Sequence, residues 1–148
     1  MLYIGSDHRG YNLKETLKVY LKELNYVYED LGAKELIADD DYPDYALAVA
    51  QKVAENPDAN RGILICSSGV GVDIVANKVK GIRSALGFDT KQAQMSRNDD
   101  DTNILSLPAD FISEKLAKEI VKTWLETPFS GLERHIRRVE KIKKIDEL

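Results

Sequence analysis

Short apolar runs alternate along this chain with longer stretches in which an apolar residue recurs every three or four positions. The first run, Leu2 to Ser6, predicts a strand. Leu13, Leu17, Leu21 and Leu24 then predict an amphipathic helix from about Tyr11 to Leu24. Tyr26 to Leu31 reads as a second strand, stopped by Gly32. Pro43 suits the first turn of a helix that Ala46, Val49, Ala50 and Val53 continue. After a turn at Asn56-Pro57-Asp58, Ile63, Leu64 and Ile65 form a run too short for a helix, which reads as a buried strand. Val72, Ile74, Val75 and Ala76 resume a helical pattern. Ile82 to Leu86 and Asn103 to Leu107 predict two more strands, separated by a helix that starts over Thr90 to Met95. Ile112, Leu116, Ile120 and Trp124 mark another helix, and Ile136, Val139, Ile142 and Ile145 a last one. Strands alternating with helices predict an α/β fold, a mostly parallel five-stranded sheet covered on both faces. In the last helix, about 132–146, the apolar spacing drifts around the surface. A partner subunit, rather than the chain's own core, is one candidate for what it packs on.

Composition narrows the class without naming a chemistry. A chain of 148 residues suits a single domain, 1–148, with a real core. Its 43% hydrophobic and 31% charged residues are those of an ordinary globular protein. A net charge of -4 gives no reason to expect nucleic acid as a partner. No run is long enough to span a membrane, and Met1-Leu2-Tyr3-Ile4-Gly5 lacks the layout of a signal peptide. The single cysteine permits no internal disulfide, which fits a cytoplasmic location.

The chemistry concentrates at strand ends. The central apolar run leads straight into Cys66, followed by Ser67, Ser68, Gly69, Val70 and Gly71. A reactive side chain there lies at the carboxyl end of a strand, where open α/β sheets bind ligands. Glycines let the backbone turn and aim N–H groups at an anion. A lone cysteine is also a common small core residue, but a loop position with nearby N–H groups favours a reactive thiolate. Such a thiolate can act as a general base beside a carbonyl, with loop N–H groups stabilising the resulting enediolate. Val72 stands where a Cys-x5-Arg phosphatase signature needs arginine, so covalent phosphate chemistry is not supported. The first strand ends in Gly5-Ser6-Asp7-His8-Arg9-Gly10. Its glycine spacing is that of a phosphate loop, but Tyr11 and Asn12 replace the lysine and hydroxyl residue such a loop needs. Asp7 and His8 remain as ligand contacts, or as a helix cap and a solvated side chain. Arg134 and Arg138, four apart, share a helix face, with Ile136 roughly 200° away from Arg134. Two arginines on one face suit a phosphate dianion; a solvated basic face is the alternative. Asp39-Asp40-Asp41 and Asp99-Asp100-Asp101 lack the spacing of a calcium loop, and no metal is expected there.

Three separated blocks together resemble one family. They are Gly5-Ser6-Asp7-His8, the stretch from Gly62 to Lys78 with Gly81-Ile82-Arg83, and Arg134-His135-x-x-Arg138. Asp41-Tyr42-Pro43-Asp44-Tyr45 and Ser96-Arg97 with Asp101-x-Asn103 fit as well. The chain resembles the sugar-phosphate isomerases of ribose-5-phosphate isomerase type B and the related galactose-6-phosphate isomerase subunits, in the same order over nearly its full length. The resemblance implies a three-layer α/β sandwich with a Rossmann-like sheet. It also implies a homodimer or dimer of dimers with a site shared between subunits. The implied reaction is aldose–ketose isomerisation of a sugar phosphate through a cis-enediol, with no cofactor. Cys66 matches the family's base, Ser68 a hydroxyl position usually held by threonine, and the backbone of Ser67, Gly69, Val70 and Gly71 the enediolate-binding loop. Asp7 and His8 match sugar and phosphate contacts, and Arg134 and Arg138 the phosphate clamp. Asp99 stands where members carry the histidine credited with ring opening, and Asp100 where they carry a substrate-contacting asparagine. Ring opening is therefore expected to fall to His135, with Asp99 and Asp100 retuning specificity. A non-catalytic, partner-dependent sugar-phosphate-binding subunit is the alternative, and a nucleotide-binding domain is disfavoured by the missing loop signatures.

Overall fold

Apolar runs free of helix-length periodicity become strands, and the periodic stretches between them become the crossovers that parallel strands require. The computed structural model describes residues 1–148. Its elements are β1 (Leu2–Ser6), α1 (Tyr11–Glu23), β2 (Tyr28–Asp30), α2 (Tyr42–Ala54), β3 (Arg61–Cys66), α3 (Val70–Ala76), β4 (Ser84–Leu86), α4 (Thr90–Asp100), β5 (Ile104–Pro108), α5 (Glu114–Glu126) and α6 (Glu133–Ile145). The strands form one sheet in the order β2-β1-β3-β5-β4, and every pair is parallel. No helix is long and apolar enough to cross a membrane.

The central strand is buried on both faces, which is why it reads as a continuous apolar run. Ile63 and Ile65 face a core built with α1, α4 and α5, including Leu17, Leu21, Ile120 and Trp124. Leu64 and Cys66 face the opposite core, with Val49 and Val53 of α2 and Val72 and Ala76 of α3. The three-layer α/β sandwich matches the expectation from sequence.

Two boundaries differ. The fourth strand begins at Ser84, because the Ile82 N–H is taken by Val79 O in a turn and the Arg83 N–H by Asn103 Oδ1. The second is only Tyr28–Asp30, an edge strand of three residues. Helix α6 packs mainly against α4 and buries only His135 and Val139. Ile136, Ile142 and Ile145 stay exposed.

Candidate active site

Three loops at the carboxyl edge of the sheet meet around Cys66. Ser6 pairs with Ile65 in the β1–β3 ladder. The loop after β1 then lies so close to β3 that a Cβ on Gly10 would sit 2.5 Å from Ile65 O. On the other side, Ala109 and Asp110 donate their N–H groups to Cys66 O and Ser67 O. Arg9 and Asp110 join these flanking loops through a 2.6 Å ion pair. Cys66 thus sits in the crevice edge of the middle strand, between two loops tied to each other.

The Cys66 loop is shaped around its sulfur. Gly69 takes φ 73° and starts α3, and its N–H donates to Cys66 Sγ at 3.2 Å. The Val70 N–H donates to Ser68 Oγ at 3.3 Å. Two of the N–H groups expected to face an enediolate are therefore turned onto the loop's own side chains. Cys66 is itself 4% exposed and packs in the core with Leu64 and Val72. Gly71 lies under the Tyr42 ring, where a Cβ would come within 2.6 Å of the ring atoms.

Asp7 is buried and accepts the Gly10 N–H at 3.0 Å, closing the turn before α1. Burial pushes its carboxyl above the ordinary range, against that bond and the His8 charge. His8 is held by Asp40. Its backbone N–H and its ring Nδ1 both reach Asp40 Oδ1, at 2.8 Å and 2.6 Å. Burial alone would raise the Asp40 carboxyl. The His8 N–H and ring, with Tyr45 nearby, outweigh it and hold Asp40 below the usual carboxylate range.

The remaining candidates form a second cluster, where α4 ends and α6 begins. His135 is buried; Nδ1 is 2.6 Å from Ser130 Oγ and Nε2 is 3.7 Å from Asp99 Oδ1. Burial and the neighbouring Asp99 raise the Asp100 carboxyl, against His135, Arg138 and Arg83. Arg134 and Arg138 are exposed. This cluster is not beside Cys66. Helix α4 starts past the carboxyl end of β4 and descends roughly 15 Å to Asp100, next to the start of β5, where Ile104 pairs with Gly62 at the start of β3. One chain therefore places Cys66, Ser67, Ser68, Asp7 and His8 at one end of the sheet, and Asp99, Asp100, Arg134, His135 and Arg138 at the other. The largest cavity, of 640 Å³, lies between β4, α4 and α6 and is lined by Arg83, Met95, Asp99, Asp100, Ile142 and Ile145, away from Cys66.

Sequence reasoning missed Asp40, Tyr42, Ser130 and the Arg9–Asp110 pair. Tyr42 lay inside a block that carried the resemblance, which was the available signal. Nothing local marks Asp40 or Asp110, because their partners are 32 and 101 residues away.

A sequence profile of the ribose/galactose isomerase family matches residues 2–142. The putative sugar phosphate isomerase YwlF of Bacillus subtilis is 46% identical, over 97% of this chain and 95% of that protein. The probable ribose-5-phosphate isomerase B of Mycoplasma genitalium is 42% identical, over 99% of this chain and 95% of its own. The crystal structure of ribose-5-phosphate isomerase B from Mycoplasma genitalium with bound ribulose-5-phosphate superposes with a TM-score of 0.96 at 42% identity, covering 99% of this chain and 95% of that one.

Proposed function

This chain belongs to the ribose/galactose isomerase family and is an aldose–ketose isomerase, and we propose that it interconverts ribose 5-phosphate and ribulose 5-phosphate, or a related pentose or hexose phosphate, through a cis-enediol. The observation that carries this reading is the Cys66 sulfur at the end of the central strand, with the Gly69 N–H aimed at it at 3.2 Å. In the open-chain aldose, the Cys66 thiolate takes the proton from C2, the electron pair moves into the C1–C2 bond, and the C1 carbonyl oxygen becomes an enediol oxygen. The Ser68 hydroxyl passes the O2 proton to O1, the electron pair of that O–H bond forms the C2 carbonyl, and the proton held by Cys66 returns at C1 as the C1–C2 double bond becomes single, which gives the ketose. The Ser68 hydroxyl and the backbone of Ser67 and Gly71 line the enediolate side, where fixed dipoles stabilise developing charge. Asp7 shapes the loop that presents His8. The reading needs no cofactor, because each proton move has a protein group to make it.

The phosphate falls to Arg134 and Arg138, whose planar guanidinium groups suit a dianion. These arginines lie at the far end of the sheet from Cys66, so a complete site takes a second copy of the chain. A homodimer, or a dimer of dimers, would bring the Arg134–Arg138 face of one protomer to the Cys66 loop of the other. Exposed Ile136, Ile142 and Ile145 and the open cavity beside edge strand β4 are the surface such a copy would cover. In that arrangement Asp99, Asp100 and His135 stand beside the phosphate end of the sugar.

The test is isomerase activity on ribose 5-phosphate, allose 6-phosphate and galactose 6-phosphate, with Cys66→Ala as the control. Turnover of one sugar that the control abolishes is expected. Saturable binding of a sugar phosphate without turnover would instead favour the partner-dependent subunit, the reading that Asp99 in the histidine position supports.

A further inference from the structure

Ring opening of a cyclic sugar needs a group that takes the proton of the C1 hydroxyl and gives one to the ring oxygen. The chain has two histidines, and their surroundings differ. Both nitrogens of His135 face protein groups, Ser130 Oγ at 2.6 Å and Asp99 Oδ1 at 3.7 Å, and the ring is buried with Phe129 edge-on beside it. His135 also sits between Arg134 and Arg138, at the phosphate end of the sugar. His8 lies on the loop packed against the end of β3, beside Cys66, where C1 and C2 must lie. Its side chain is 28% exposed and that of Asp40 is 8% exposed. Nδ1 is taken by Asp40. Nε2 has no protein partner and is not buried, so it is the ring nitrogen free to meet a ligand.

We infer that Asp40 is a positioning residue that locks His8 with a proton on Nδ1, leaving Nε2 as the acid–base group that opens the sugar ring. The inference rests on the isomerase reading above. A carboxylate only accepts hydrogen bonds, so Asp40 selects the neutral tautomer with Nδ1–H and a lone pair on Nε2. The same atom, Oδ1, also accepts the His8 backbone N–H, which fixes the ring and its backbone to one point. Oδ2 is buried without a hydrogen-bond partner; Tyr45 lies beside the carboxylate, and Asp7 is the other charge near the ring. The pair thus works by the logic of a base oriented by a buried carboxylate. In the step itself, Nε2 takes the C1 hydroxyl proton. The C1–O bond gains carbonyl character as the bond from C1 to the ring oxygen breaks, and that oxygen takes the proton from the imidazolium. The ring returns neutral.

The test compares wild type with Asp40→Ala, Asp40→Asn and His135→Asn. Nitrogen-15 spectra of the histidine rings, assigned with His135→Asn, report which His8 nitrogen carries the proton. The wild type is expected to show Nδ1–H, and Asp40→Ala to shift His8 toward Nε2–H. Turnover of ribose 5-phosphate should fall roughly 10- to 100-fold in Asp40→Ala, while turnover of ribulose 5-phosphate, which cannot close a ring, changes less than threefold. Asp40→Asn keeps an acceptor oxygen and should lose less, and it also serves if the alanine variant does not fold. His135→Asn should affect both sugars alike. An Nε2–H tautomer in the wild type, or equal losses on both sugars in a folded Asp40 variant, overturns the inference. If the wild type turns over no sugar phosphate, the isomerase reading fails instead, and the spectra still decide whether Asp40 holds His8.

Discussion

Substituting Gly69→Ala tests whether the Cys66 loop is built around its sulfur. Two costs add. The residue has φ 73°, a conformation that costs an L-residue about 1–2 kcal/mol. The new Cβ would also lie 2.5 Å from Leu86 Cδ1, 3.0 Å from Leu107 C and 3.1 Å from Pro108 N. The leucine tip can turn away, but Leu107 and Pro108 are β5 backbone paired with Ile65 and Cys66, so the loop must lift instead. Overpacking of this kind costs about 1–3 kcal/mol. A total of roughly 2–5 kcal/mol lowers Tm by about 5–15 °C for a chain of this size. Lifting the loop also lengthens the 3.2 Å contact from the Gly69 N–H to Cys66 Sγ. A hydrogen bond to a charged group contributes about 1.5–3 kcal/mol, so kcat should fall roughly 10- to 100-fold. Gly131→Ala is the matched control, because Gly131 has φ 65° and open space around its Cβ position. It carries the backbone cost alone. Thermal unfolding followed by circular dichroism and steady-state isomerase kinetics measure both terms. Equal loss of stability in the two variants, with kcat unchanged in Gly69→Ala, would refute the reasoning.

Two further outcomes follow from charges held inside the fold. Lys14 is fully buried, with Nζ 2.7 Å from Asp30 Oδ2 and 3.0 Å from Glu15 Oε1. Lys14→Ala leaves Asp30 with Lys18 alone at 2.8 Å and should cost about 3 kcal/mol in urea unfolding at neutral pH; a loss below about 1 kcal/mol would show the pair to be worth no more than a surface bridge. Stability should also peak in mild acid. Asp7, Asp73 and Asp100 have carboxyls raised chiefly by burial, so the native state binds their protons first and gains stability as pH falls from neutral. Asp30 and Asp40 are held below the ordinary value of 3.8, burial being outweighed by Lys14 and Lys18 and by His8. Their contribution is complete above that value and is lost as pH falls through the native ones. Tm should therefore rise from pH 7 toward about pH 5 and drop below about pH 4; a monotonic fall from neutral pH would contradict the assignment.

The periodicities located nearly every element because each strand is a short apolar run and each crossover helix has one apolar stripe. The boundary errors arose where a side chain overrides pattern. Ile82 reads as strand, yet the neighbouring Arg83 is drawn off the ladder by Asn103 Oδ1 and by the Asp100 and Asp101 carbonyls. The same contacts explain part of the resemblance. Asn77 clamps Ser84 through two hydrogen bonds, and Asn103 clamps Arg83, Gly81 and Pro57. These motif residues hold the β4 edge in place and need not touch substrate. In the candidate site, Cys66 and its glycines were legible because their chemistry is local: a strand, a tight turn and a helix within a few residues. The His8–Asp40 and Arg9–Asp110 pairs were not, because only the finished sheet brings the loop after β1 against the residues before α2 and after β5. The acidic run Asp39-Asp40-Asp41 looks uniform in sequence, yet burial separates its members. Asp40 is locked on His8 while Asp39 and Asp41 face solvent or the helix start. Its role is set by tertiary position, so composition and spacing carry no signal for it. The same holds for Asp99 and Asp100. Their distance from Cys66 follows from the descent of α4 along the sheet, and the proposal that a second copy of the chain completes the site rests on that distance.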